Sequence, residues 1–84
     1  MTDKEFDVLD ELYFLTSFQE LQENCGIPSD KLASLLWEMI TKEWINCFKN
    51  YDQEFVPEKD EFQAQFGNYH YLASKKGLLK HNAR

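Results

Sequence analysis

Cys25-Gly26-Ile27-Pro28 stands between two amphipathic stretches, each opened by its own capping residue, and this spacing constrains the fold more than any other feature. Upstream, Ser17-Phe18-Gln19-Glu20 places a hydroxyl three residues before a Glu, the capping-box pattern that starts a helix. Phe18, Leu21 and Cys25 give that helix an apolar stripe, and Gly26 is the residue best able to take the left-handed conformation that ends it. Downstream, Ser29 is the expected N-cap, with Asp30 favourably placed in the first turn. Leu32, Leu35, Leu36, Met39 and Ile40 then form a wide apolar face that ends near Lys42. The expected arrangement is a two-turn helix, a tight turn and a longer helix over residues 29–42, which is a helix-turn-helix.

The flanks extend this unit. Thr2-Asp3-Lys4-Glu5 is another capping box. Phe6, Leu9, Leu12 (or Tyr13) and Leu15 recur at helical spacing, with Asp7, Asp10 and Glu11 opposite, so a first helix is expected over residues 3–15. After Glu43 the period changes. Trp44-Ile45-Asn46-Cys47-Phe48-Lys49 reads as a strand, with Ile45 and Cys47 on one face and Trp44, Asn46 and Phe48 on the other. Asn50-Tyr51-Asp52-Gln53 is turn-like. Pro57, followed by acids at 58, 60 and 61, is placed to open a short helix through Phe62 and Phe66 that Gly67-Asn68 closes. Tyr69-His70-Tyr71-Leu72-Ala73 reads as a returning strand, and Ser74 caps a last short helix. A two-stranded hairpin has no independent stability, so it must pack on the helices.

Eighty-four residues are one domain, with 43% apolar residues and thirteen aromatics to form a core. No apolar run approaches the ~20 residues that cross a bilayer, and Met1-Thr2-Asp3-Lys4-Glu5 is not expected to act as a signal peptide. Cys25 and Cys47 are too few for a disulfide scaffold and are expected as reduced thiols, which points to the cytoplasm. Nine bases against fifteen acids give a formal charge of −6, which argues against a general nucleic-acid coat. That figure averages two unlike segments. Residues 1–61 hold all fifteen acids and five bases, a net of −10; residues 62–84 hold Lys75, Lys76, Lys80 and Arg84 and no acid, a net of +4. The basic segment is either an anion-facing edge or a helix that complements an acidic body and its own dipole.

Residues 5–48 resemble the winged form of the helix-turn-helix, with Met39-Ile40-Thr41-Lys42-Glu43-Trp44-Ile45 where that superfamily runs from its third helix into the first wing strand. Tyr71-Leu72-Ala73-Ser74-Lys75-Lys76-Gly77-Leu78-Leu79 is similar to the Tyr-x-Leu-Thr-x-x-Gly stretch that closes the wing in many bacterial transcriptional regulators. The resemblance implies an α+β, mainly α, single winged-helix domain over residues 1–84: three helices, a two-stranded antiparallel wing and a short C-terminal helix. It implies a small non-enzymatic DNA-binding protein whose third helix approaches the major groove. Such a protein needs a second copy to read a twofold site, so a homodimer is among its expected states. Three departures stand out: Glu43 replaces the usual Gly, the connection over residues 50–68 is long and carries five acids, and the third helix presents few bases.

On that helix the outward positions are Lys31, Ala33, Ser34, Trp37, Glu38 and Thr41, with Asp30 at the entrance. The candidate DNA contacts are Lys31, Ser34 and Trp37, with Lys75, Lys76 and Lys80 on the phosphates. A module that keeps this fold and binds a protein instead is the alternative, with Trp37, Phe55, Phe62 and Phe66 as its interface. Trp37 serves either as an exposed anchor or as packing beneath the wing or against Trp44. Phe55, Phe62, Phe66, Tyr69 and Tyr71 either seal the long connection onto the hairpin or form a patch for a partner. Neither His70 nor His81 lies at ligand spacing from a cysteine, so no metal is expected. No nucleophile elbow or phosphate cradle is present, so neither cofactor nor catalysis is expected.

Overall fold

In the computed structural model, which describes residues 1–83, the elements run α1 (Asp3–Glu11), β1 (Thr16–Ser17), α2 (Phe18–Cys25), α3 (Ser29–Thr41), β2 (Ile45–Phe48), β3 (Glu54–Phe55), α4 (Lys59–Gln65), a 3-10 turn (Phe66–Asn68), β4 (His70–Ala73) and α5 (Lys75–Asn82). The chain is α+β and mainly helical, with one four-stranded antiparallel sheet of order β1-β4-β2-β3. The sheet is thus larger than the expected two strands. β4 lies centrally, with Tyr71 opposite Cys47 on β2 and opposite Thr16 on β1.

Three caps form where the sequence places them. The Thr2 hydroxyl accepts from the Glu5 N–H at 3.2 Å, and the Glu5 carboxylate accepts from the Thr2 N–H at 2.9 Å. Ser17 accepts from the Glu20 N–H at 3.2 Å, and Ser74 from the Gly77 N–H at 3.0 Å. Gly26 closes α2 at φ 65°. The second capping box is only half made, because the Glu20 carboxylate accepts from the Ser17 hydroxyl and not from the Ser17 N–H.

Three boundaries differ from expectation. α1 stops at Glu11, not residue 15, because the groups that follow find partners elsewhere. The Thr16 hydroxyl donates to the Glu11 and Phe14 carbonyls, and the Ala73 N–H donates to Leu12 O at 2.9 Å. α3 is capped by Pro28 with no side-chain bond, and Ser29 is its first helical residue. α4 begins at Lys59 after Glu58, leaving Pro57 buried just ahead of the helix.

The corner between α3 and β2 is a Schellman motif. The Glu43 N–H donates to Ile40 O and the Trp44 N–H to Met39 O, both at 2.9 Å, with Glu43 at φ 64°. Gly is favoured at this position because a Cβ there costs about 1 kcal/mol or more. Glu43→Gly is therefore expected to raise stability by about 1 kcal/mol, less the small contribution of the exposed Lys76 pair at 3.7 Å. A denaturant midpoint unchanged or lowered in that variant contradicts the reading.

The core runs from Val8, Leu9 and Leu12 on α1 through Leu21, Leu32, Leu36 and Met39 to Phe62 and Tyr71. One carboxylate enters it. Glu5 is buried and lies 3.2 Å from the Lys42 ammonium. Burial alone raises its carboxyl, but hydrogen bonds from Thr2 and Lys42 outweigh it and hold the group below the usual carboxylate value of 4.5. A lowered folded value means stability that is present above pH 4.5 and lost as pH falls through the folded value. Lys42→Ala is expected to cost about 1 kcal/mol at pH 7, since Lys42 is half exposed. The gap between wild type and variant should shrink on acidification. A gap that does not change between neutral pH and about pH 3 rules the assignment out.

Candidate functional site

Part of the outward face of α3, at Ala33 and Trp37, is covered by α4, while Lys31, Ser34, Glu38 and Thr41 stay exposed. Ala33, expected outside, is buried at 8% exposure, and Trp37 is half-buried with its ring 5.3 Å from that of Phe62. Phe62 is only 2% exposed and belongs to the core, forming the floor of the groove between α3 and α4. It continues into a ladder of rings: Phe62 to Phe66 at 5.9 Å, and Phe66 to Phe18 at 5.1 Å. Phe55 meets Tyr69 edge-on at 4.9 Å. The aromatic stretch thus seals the long connection onto the helices and sheet, leaving Phe55 and Phe66 half-buried.

Trp37 becomes the ridge between two grooves. One, of about 490 Å³, lies between the C-terminal half of α3 and the β2–β3 hairpin; Ile40, Ile45, Phe55 and Pro57 supply its apolar wall, and Glu43 and Glu54 its charge. The other, of about 300 Å³, lies between α3 and α4, with Ser34, Glu38, Lys59 and Phe66 around Trp37. Lys31 and Ser34 stay exposed at the start of α3, beside Asp30 and Glu38 in a shallow depression.

The remaining candidate cations lie elsewhere. Lys75, Lys76 and Lys80 are exposed on α5, which packs on α1 and β4 rather than beside the first turn of α3. Lys76 leans toward Glu43. Arg84 lies outside the described residues.

The thiols are not poised for chemistry. Burial, with the nearby Glu11 and Asp7 charges adding to it, pushes Cys25 up to about 11. Burial pushes Cys47 up to about 12. Both stay protonated at neutral pH, where the thiolate is the nucleophile. His81 stacks on Phe6 at 4.1 Å, with Tyr13 Oη 3.1 Å from its Nδ1 and Asp10 3.4 Å from its Nε2, so it docks α5 on α1. The His70 ring lies against that of Tyr51 at 4.8 Å. No group of three or more His, Cys, Asp or Glu suited to a metal occurs among the described residues. Nor is any helix among them long and apolar enough to cross a membrane.

Two features of the site escape a reading of the sequence. One is the β3 edge at Glu54, Phe55 and Val56, although a turn followed by Phe55-Val56 carries a hairpin signal. The other is the left-handed conformation of Glu43 at the groove, for which the Gly usual at this corner in winged helices is the signal. Compared with models of protein families, with curated proteins and with solved structures, the chain matches none.

Proposed function

We propose that the chain is a non-enzymatic domain of winged-helix type that binds a protein partner through the grooves flanking Trp37. The fold part is supported by the sheet order: the strand after α1 pairs with the last strand, which in turn pairs with the strand after α3. The observation that carries the functional part is the seating of α4 on α3. It leaves α3 with Asp30, Lys31, Ser34, Glu38 and Thr41 exposed on that side, a mixed surface with no Arg, Asn or Gln for base edges. Half-buried aromatics between grooves are instead the kind of anchor that protein interfaces use.

Capture from a nuclease-treated lysate tests this. Immobilised wild type is expected to enrich a protein that Glu38→Lys releases and that Glu23→Lys, on exposed α2 surface, does not. No enrichment, or equal loss with both variants, rejects the reading. A second reading, duplex DNA held on its phosphates by Lys75, Lys76 and Lys80, is favoured by the exposure of all three on one helix. It requires salt-sensitive DNA binding that Lys75→Glu abolishes.

A further inference from the structure

β3 is the last strand of the sheet, and no other described strand pairs with its outer edge. The Lys49 N–H donates to Gln53 O at 2.9 Å, and Cys47 opposes Phe55 two residues along each strand. In an antiparallel ladder, bonded and non-bonded pairs alternate, so 49/53 and 47/55 are the bonded pairs and Phe48/Glu54 is not. The N–H and C=O of Glu54 therefore point away from β2, and Val56 follows directly at the end of the strand. Val56 is 87% exposed, and the edge borders the 490 Å³ groove.

The groove's charges have one sign. Glu43 and Glu54 line it, with no lysine or arginine among its described lining residues. Lys49, just beyond the end of β2, sits over the Phe55 ring at 4.9 Å. Glu43 occupies a left-handed position at which Gly is less strained; it lines the groove, and its exposed carboxylate leans toward Lys76 at 3.7 Å, a loose surface pair that a partner's cation can replace.

We propose that this groove binds an extended, basic segment of a partner protein. The segment adds a strand along Glu54 and Val56, seats an aliphatic side chain against Trp37 and Phe55, and sets lysine or arginine against Glu43 and Glu54. This rests on the protein-binding reading above. A second copy of the chain is the poorer occupant, because it brings another Glu54 and another acidic body to the same edge.

The test is a titration of isotope-labelled protein with a short acetylated peptide of alternating lysine and valine, followed by amide chemical shifts. Shifts are expected at Glu54, Val56, residues 43–47 and the Trp37 indole. Glu54→Lys should weaken binding about tenfold, and so should N-methylation of alternate peptide amides, which removes one edge of backbone donors. A glutamate–valine peptide should produce no shifts. Shifts spread over the acids of α1 and α2, or equal affinity for the N-methylated peptide, overturn the proposal. If the peptide fails while lysate capture still responds to Glu38→Lys, this site fails and the protein-binding reading stands. If both fail, the reading fails with it.

Discussion

Phe62→Ala is expected to lower stability by about 3 kcal/mol and, in a Trp44→Phe background, to shift Trp37 emission to the red. Phe62 is almost wholly buried, and its ring packs against those of Trp37 and Phe66. Truncation leaves a cavity under α4 and removes the contact that holds it on α3. For a domain of this size, a loss of about 3 kcal/mol lowers the melting temperature by roughly 12–24 °C. Two readouts separate global from local effects. Below the transition, easier quenching of Trp37 by acrylamide reports that α4 has left α3. A stability loss under about 1 kcal/mol with unchanged Trp37 emission contradicts the seating of α4 described above.

Gly77→Ala should be comparably damaging, against the usual helix preference. In an exposed helix interior this exchange gains up to about 1 kcal/mol. Here a Cβ collides with the Trp44 carbonyl oxygen and comes within 2.9 Å of its carbonyl carbon. That carbonyl is not free to move, because it accepts from the Ser74 N–H at 2.9 Å. Relief requires α5 to lift from the sheet, which breaks its docking through His81 on Phe6 and Tyr13. Overpacking of this kind costs about 2–3 kcal/mol. Urea unfolding checks it: a midpoint at or above wild type contradicts the close approach.

What is legible in the sequence is local. Thr2, Ser17 and Ser74 cap their helices and Gly26 ends α2 because each signal is complete within four residues. β1 and β3 are not legible, since two residues carry no periodicity, and their pairing depends on β4 and β2. The least visible fact is the packing of α4 on α3, which joins residues far apart in the chain. A hint exists. Ala33 and Trp37 widen the apolar face already made by Leu32, Leu35, Leu36, Met39 and Ile40, and a helix apolar on most sides is covered on more than one. On that pattern Trp37 belongs to packing as much as to surface.

Whether α3 binds DNA, the direct rival of the protein-binding reading, is decided by the anisotropy of a fluorescent duplex titrated with the protein at low salt. Duplex-binding proteins hold even non-specific DNA with dissociation constants on the order of 1–100 μM at physiological salt, and more tightly at low salt. No saturable change is expected up to tens of micromolar protein. Saturable binding that falls steeply with added salt and is lost in Lys31→Glu would overturn the protein-binding reading.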